Sequence, residues 1–171
     1  MQEEKPSGPL PDFPKFERYT DVTIGDNVIT CPVYYWKDNS VLPFPMPKPG
    51  TVKLRVKKQD IAYLKIYSGF DIETSNVDIP KNDKGDVLHL AFMYHWQFSF
   101  VSDSSGIVFM GRYWSEFLHL MEKLESFYGL GFDKRILIWI ANAGFEFQFI
   151  RKKFDWAEDD FFAREERHPL K

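Results

Sequence analysis

Apolar and polar residues alternate along the middle of this chain, as they do in β-strands. Val52–Lys57 alternates apolar with basic residues, which predicts a half-buried strand. Tyr63–Glu73 predicts a second, more buried strand, and the polar stretch Asn76–Gly85 predicts a turn-rich loop after it. In Leu88–Phe98 every second residue is apolar, so these side chains are expected on one face of a long strand. The turn residues Ser102–Gly106 then predict a hairpin and a returning partner strand.

The period of the pattern changes in the second half of the chain. Between residues 114 and 128, apolar residues recur at steps of three and four, which predicts an amphipathic helix. Ser115 is the predicted N-cap of this helix, and Gly129 is its predicted end. The continuous apolar run Ile136–Ile140 predicts a strand covered on both faces, and a second helix is expected from about Asn142 to Phe154.

This order of elements predicts an α/β fold over residues 51–171. Its sheet should be mixed, with antiparallel hairpins first and a parallel strand after a crossover helix. Residues 1–50 are rich in proline, which blocks helices and central strands. We therefore expect an extended arm over about the first 18 residues, an edge strand at Val28–Trp36 and a loop at Val41–Gly50.

Composition sets limits on the function. The 171 residues are 44% apolar and 18% aromatic, which is enough for a sizeable core, and the net charge of −3 gives no general indication of nucleic-acid binding. The basic strip Lys53–Lys58 fits either contact with a phosphate backbone or an edge strand kept soluble by lysine. The single cysteine, Cys31, excludes a disulfide framework. The chain has no secretory signal and no apolar run of membrane-spanning length, so we expect a cytoplasmic protein without membrane contact.

Two carboxylates near the end of a predicted strand form the first candidate motif. Asp71 and Glu73 stand two residues apart, so their side chains point to the same side of the strand. Holding two carboxylates together is costly unless a cation lies between them, and Mg²⁺ or Mn²⁺ prefers such oxygen ligands. The alternative is a strand end that simply emerges into solvent.

A second motif follows the apolar run at Ile136–Ile140. Asn142 begins a helix, where its side chain can cap backbone N–H groups. Glu146 lies in the first helical turn, where the helix dipole favours a carboxylate, although a surface residue would do the same. Phe145 either offers its ring to a base or packs on Phe149, one turn later. If the two strand ends adjoin, the acids of both motifs meet in one metal site.

These motifs resemble a known family. Phe70–Thr74 resembles the first motif of the proofreading 3′–5′ exonuclease domain of family B DNA polymerases, and Asn142–Glu146 resembles the second. The spacing of the motifs and the contexts Gly111-Arg112 and Phe147–Phe149 are most like the protein-primed polymerases of bacteriophages and linear plasmids. The resemblance covers roughly residues 60–170. It implies an RNase H-like mixed sheet flanked by helices.

The resemblance also implies roles for particular side chains. The residues that match the catalytic, metal-binding acids are Asp71, Glu73 and Glu146. The residues that match the binding site for the single-stranded DNA 3′ end are Thr74, Asn142 and Phe145. The implied reaction is hydrolysis of that 3′ end with two Mg²⁺ or Mn²⁺ ions. Implied partners are the polymerase domain of the parent protein and a terminal (priming) protein, and a phage-encoded enzyme would act in the host cytoplasm.

The chain departs from the family pattern at three points. The acid of the second motif, Glu146, is usually Asp, and Ala141 stands where relatives often have His. The third motif, which supplies a Tyr and a fourth carboxylate, is absent before the chain stops at Lys171. We therefore expect a fragment truncated before that motif, with an incomplete second metal site and little activity of its own.

Other classes of function stay open at this point. A non-catalytic nucleic-acid-binding or docking module would keep the RNase H-like scaffold without turnover. RNase H-like recombination nucleases match less well, because the context of their second acid differs. A plain interaction domain would expose the aromatic region around Trp96 and Phe98 as a docking face.

Overall fold

The computed structural model describes residues 12–56, 59–81, 86–153, 163–165 and 168–169. The strands are β1 (Lys15–Ile24), β2 (Asn27–Tyr35), β3 (Thr51–Val56), β4 (Gln59–Leu64), β5 (Tyr67–Pro80), β6 (Val87–Val101), β7 (Gly106–Gly111), β8 (Lys134–Arg135), β9 (Ile138–Ile140), β10 (Ala163–Glu165) and β11 (His168–Pro169). The helices are α1 (Trp114–Tyr128) and α2 (Ala143–Ile150). No helix among the described residues is both long and apolar enough to cross a membrane.

The main sheet has six strands in the order β1-β2-β7-β6-β5-β9. Antiparallel pairings join β5 to β6 and β6 to β7, and β9, which follows α1 in the chain, pairs with β5 in parallel. The predicted mixed sheet, with antiparallel hairpins first and a parallel strand beyond a helix, is therefore confirmed. The fold is α/β.

The N-terminal hairpin extends this sheet, because β2 pairs in parallel with β7. β2 confirms the strand predicted at Val28–Trp36, but its predicted edge position is wrong, since β2 lies between β1 and β7 and buries Cys31 and Val33. The predicted extended arm is also too long, because β1 already begins at Lys15. Residues 1–11 lie outside the described residues.

Helix α1 covers one face of the main sheet. It begins one residue after Tyr113, so the predicted N-cap Ser115 is wrong. The Glu116 carboxylate instead accepts hydrogen bonds from the backbone N–H groups of Arg112 (2.7 Å) and Tyr113 (3.0 Å), which stabilises the first turn. The predicted end at Gly129 is confirmed, because this residue adopts the left-handed conformation with φ 58° and ψ 48°.

Aromatic side chains fill the core between α1 and the sheet. The Phe117 ring of the helix lies 4.7 Å from that of Phe70, 5.3 Å from Trp96 and 6.2 Å from Phe98, measured between ring centroids. Trp96 and Phe98 are completely buried, so the predicted docking face around them does not exist. The hydroxyl of Tyr128 donates a hydrogen bond to the loop carbonyl of Pro47 at 2.7 Å. As predicted, no helix or strand occurs between residues 41 and 50.

A separate sheet contains β3, β4 and β8. β3 matches the strand predicted at Val52–Lys57, but Val52 and Leu54 are 40% and 46% exposed rather than buried, because β3 lies at the edge of this sheet. Lys57 and Lys58 of the basic strip lie outside the described residues.

The strand predicted at Tyr63–Glu73 is in fact two strands, since β4 ends at Leu64 and β5 begins at Tyr67. The predicted loop from Asn76 is also wrong over its first part, because β5 continues to Pro80 and pairs with β6 along its whole length. Polar residues are tolerated there because the end of the β5–β6 ribbon is two-stranded and exposed to solvent. Residues 82–85 lie outside the described residues.

A β-bulge divides the β5–β6 ribbon into two halves. Glu73 pairs with His95 and Thr74 with Met93, so Tyr94 is an extra residue on β6. The inner ribbon comprises residues 67–73 and 95–101, and the outer ribbon comprises residues 74–80 and 87–93.

The bulge changes which side chains share a face. Pairing places Phe92, Leu90 and Leu88 opposite Ser75, Val77 and Ile79, on the face that carries Asp71 and Glu73. Trp96 and Phe98 lie on the other face, opposite Ile72 and Phe70. The prediction that Leu88–Phe98 presents one continuous apolar face is therefore wrong.

Elements after α1 are shorter than predicted. β9 covers only Ile138–Ile140 and lies at the edge of the main sheet, with Trp139 exposed, so the prediction of a strand covered on both faces is wrong. α2 ends at Ile150 instead of Phe154, which lies outside the described residues, as does Asp155–Asp160.

Candidate functional site

The acids of the first motif lie on β5, at the inner side of the bulge. Asp71 and Glu73 share one face of the strand, as the two-residue spacing predicted. The predicted position at the strand end is wrong, because β5 continues to Pro80, and both side chains are exposed to solvent. Directly opposite them on β6 are Gln97 and His95, whose side chains point to the same face because residues paired across a ladder do so. The site therefore contains an amide and an imidazole beside two carboxylates.

The acid of the second motif is buried. Glu146 is 3% exposed, and its Oε2 has no hydrogen-bond partner among the described residues. Burial raises the pKa of this carboxyl, a hydrogen bond from its own backbone N–H opposes that shift, and the nearby charge of Asp71 raises the pKa further. The alternative of an ordinary surface acid is therefore wrong, and Glu146 lies within electrostatic reach of Asp71.

Asn142 and Phe145 surround this acid at the start of α2. Asn142 is the N-cap, but its side chain makes no capping bond, which corrects the prediction for that amide. Its backbone carbonyl instead accepts hydrogen bonds from Phe145 (2.9 Å) and Glu146 (3.1 Å). The Phe145 ring is 40% exposed and lies 5.2 Å from the Phe149 ring, so it packs along the helix and still presents a face to solvent. Thr74 lies at the bulge, next to Glu73.

Cationic groups lie close to the same carboxylates. Burial lowers the pKa of His95, the charge of Glu73 raises it, and the charges of Arg112 and Arg18 lower it. These effects indicate that the charges of both guanidinium groups act on the imidazole. Arg112 follows β7 and Arg18 belongs to β1, so three strands of the main sheet bring charged groups to this region.

A pocket of about 500 Å³ opens beside Asp71 on the same face of the sheet. Gly69, Gln97 and Ser99 belong to its lining from β5 and β6, Thr20 and Val22 to its lining from β1, and Trp139 to its lining from β9. A Cβ atom at Gly69 would lie 2.9 Å from the Ser99 hydroxyl oxygen, so a larger residue at this position would force that hydroxyl to shift.

The fit of the residues to a divalent metal rests on Glu146. Its buried Oε2 has no hydrogen-bond partner among the described residues, and the charge of Asp71 acts on the same carboxyl. A hard cation with Oε2 as a ligand would satisfy this oxygen. Among the described residues no three His, Cys, Asp or Glu side chains are already gathered as a metal-binding group. The resemblance implies Asp71, Glu73 and Glu146 as the acids that would hold a metal, and Glu73 stands two residues from Asp71 on the same face of β5.

Several residues of this region did not emerge from sequence reasoning. His95, Gln97 and Ser99 form a polar series that alternates with the buried Trp96, Phe98 and Phe100. That alternation is visible in the sequence, and it was the signal for a second face that carries chemistry. Arg18 and Trp139 had no comparable local signal, because their position depends on strand pairings between distant segments.

None of the protein-family models, curated proteins or solved structures with which the chain was compared matches it. The resemblance to polymerase exonuclease domains therefore rests on the two motifs and on their spacing in the sequence.

Proposed function

We propose that this chain is the 3′–5′ proofreading exonuclease domain, or its N-terminal part, of a protein-primed family B DNA polymerase. The proposal is carried by the buried Oε2 of Glu146, which has no hydrogen-bond partner among the described residues, together with the effect of the Asp71 charge on the pKa of that carboxyl, because these acids come from motifs that lie far apart in the sequence. A buried carboxylate without a partner is costly, and a bound cation would offset that cost.

The arrangement of elements supports the proposal. Three antiparallel strands, a helix and a parallel strand beside the first of them form the order expected of an RNase H-like sheet. The first motif lies within β5 and the second follows β9, and these two strands are neighbours in that sheet.

The residues suggest a division of roles. Asp71, Glu73 and Glu146 would hold Mg²⁺ or Mn²⁺, which supplies an activated water and stabilises the leaving oxygen when it is bound. Asn142 is exposed, and its side-chain amide makes no capping hydrogen bond. Phe145 has an exposed ring face, so both side chains suit contact with a single-stranded 3′ end. The resemblance implies a fourth carboxylate that these residues do not include, so we expect slow turnover by this chain alone.

Calorimetric titration with Mn²⁺ tests the metal site. We expect binding that is lost in Asp71→Asn and Glu73→Gln and weakened in Glu146→Gln. Asp78→Asn is the matched control, because Asp78 is an exposed acid of the same strand on the other face. Binding that survives in all the site variants would refute the assignment.

A labelled single strand tests the reaction itself. With Mn²⁺ we expect slow shortening from the 3′ end that disappears in Asp71→Asn. Binding of DNA without any dependence on metal would favour the non-catalytic nucleic-acid-binding module instead.

A further inference from the structure

We propose that the outer ribbon joins two copies of this chain by packing its apolar face against the same face of a second copy. Pairing across the ladder places five apolar side chains on this face, and these are Val77, Ile79, Leu88, Leu90 and Phe92. Each of them is between 42% and 45% exposed. Among the described residues, the two strands of the outer ribbon pair only with each other, because β7 and β9 pair with the inner ribbon.

The opposite face of the outer ribbon is polar at the same level of the ladder. Asn76 and Asp78 lie on that face, where the Asp78 carboxylate binds the His89 imidazole at 2.6 Å. A ribbon that only extends into solvent has no need of two faces that differ in this way. The apolar face leaves on the order of 400 Å² in water, which is the size of a patch that marks an interaction site.

Charges at the two ends of the apolar face identify a second copy as its occupant. Side chains alternate along β5, so Glu73, Val77 and Lys81 are placed on the same side of that strand. Lys81 continues the ladder beyond the end of β5, since its backbone N–H donates a hydrogen bond to the carbonyl of Asp86 at 2.8 Å. Val77 stands midway between the acid and the lysine. The face thus has a negative end, an apolar centre and a positive end.

A two-fold axis through Val77 pairs these ends. Two ribbons that pack face to face and antiparallel about this axis bring Glu73 of each copy opposite Lys81 of the other. The centre then holds apolar contacts, with Val77 and Leu90 each facing the same residue of the second copy. A parallel arrangement would instead set Glu73 against Glu73, which is repulsive. The pattern of charge is therefore complementary to itself in the antiparallel arrangement.

The size of the face predicts a weak and reversible dimer. Two such faces cover on the order of 800 Å² in total, which is less than the roughly 1,200 Å² at the lower limit of a standard interface. We expect monomers and dimers in exchange, with a dissociation constant of about 10 µM or above. The proposal does not depend on the proposed function, although a second copy would bring an ammonium group to the acids of β5.

Sedimentation velocity over a hundredfold range of protein concentration, in EDTA and without DNA, tests the proposal. The average sedimentation coefficient of the wild type should rise with concentration. Leu90→Asp should weaken dimerisation at least tenfold, because it sets two carboxylates against each other at the axis. Circular dichroism should show that this variant is folded, since Leu90 is exposed. A wild type that stays monomeric at every concentration, or an equally strong dimer of Leu90→Asp, would overturn the proposal.

Exchanging the charges tests the antiparallel register. Glu73→Lys and Lys81→Glu each place like charges opposite each other, so each variant alone should dimerise about fivefold more weakly than the wild type. An equimolar mixture of the two should associate more tightly than either variant, because the acids of one then meet the lysines of the other. A mixture that associates no more tightly than its components would overturn the register.

Asp78→Lys is the matched control for these charge changes. It alters an exposed acid of the same strand by the same charge, but on the polar face of the outer ribbon. Dimerisation of this variant should equal that of the wild type, and a loss as large as that of Glu73→Lys would contradict the proposed face. Because neither metal nor DNA is present, these results are independent of the Mn²⁺ titration and of the nuclease assay.

Discussion

The inner and outer halves of the β5–β6 ribbon both contain alternating apolar residues, but these residues have opposite environments. In the inner ribbon, Phe70, Ile72, Trp96 and Phe98 are buried beneath α1. In the outer ribbon, six apolar side chains are between 42% and 45% exposed, and these are Val77, Ile79, Val87, Leu88, Leu90 and Phe92. The comparison teaches that alternation creates an apolar face, whereas burial needs a neighbouring element to cover it.

Truncating an aromatic ring should separate the two halves most strongly. Phe98→Ala should lower the free energy of unfolding by about 3–5 kcal/mol, because it leaves a cavity in the inner ribbon. Phe92→Ala in the outer ribbon should change it by roughly 1 kcal/mol or less, since that ring is already partly in water. Urea denaturation followed by far-UV circular dichroism measures both, and equal losses would contradict the comparison.

Adding a single methyl group tests how tightly the inner ribbon is packed. In Gly111→Ala the new Cβ would overlap the Trp96 ring and lie 2.7 Å from Oε2 of Glu116, so we expect a loss of about 1–3 kcal/mol. Gly131→Ala is the control, because no atom lies within 4 Å of its added Cβ and its φ is not positive. Thermal unfolding compares the two variants. Similar melting temperatures would show that the strand can shift to accommodate the methyl group.

The buried acid of α2, Glu146, should make the free energy of unfolding depend on pH. Because the folded-state pKa of Glu146 is raised, the folded state binds the proton more tightly than the unfolded state does. Stability should therefore fall as pH rises from the ordinary pKa of this carboxyl through its raised folded-state pKa.

Removing that charge should remove this part of the pH dependence. Glu146→Gln should be more stable than the wild type at neutral pH, by about 1.4 kcal/mol for each pKa unit of the shift. The exposed Glu122 provides the control Glu122→Gln, which should leave the profile unchanged. Unfolding free energies measured between pH 4 and pH 8 give the slopes, and identical slopes in wild type and Glu146→Gln would refute the burial of this acid.

The smallest effect is expected from a polar substitution in the outer ribbon. Val77→Thr should change stability by about 0.5 kcal/mol or less and reduce self-association, because Val77 is an exposed apolar residue. Ile72→Thr, five positions earlier on the same strand, should be clearly destabilising because it buries a hydroxyl. Denaturation and light scattering measure the two properties. A large loss in Val77→Thr would mean that the outer ribbon is covered.

Local periodicity was sufficient to predict the central elements. The strands at β6 and β7, the helix α1 with its end at Gly129, and the parallel strand at β9 all follow from apolar spacing and turn residues. The same spacing placed Asp71 and Glu73 on one face of a strand.

Features that depend on long-range pairing could not be predicted. The bulge at Tyr94 shifts the ladder by one residue without a local sequence signal. The interior position of β2 depends on its pairing with β7, far along the chain. The burial of Glu146 depends on how α2 packs against the rest of the fold, whereas the sequence indicated only its position in the first helical turn.

The bulge has a consequence for how this protein can change. Since β5 has no residue opposite Tyr94, inserting one residue after Glu73 would make the ladder regular and turn the outer ribbon over, so that its apolar side chains face the opposite surface of the sheet. The acids of the inner ribbon would keep their place. A length change of one residue would thus change the surface on which the outer ribbon presents its apolar side chains without moving Asp71 or Glu73.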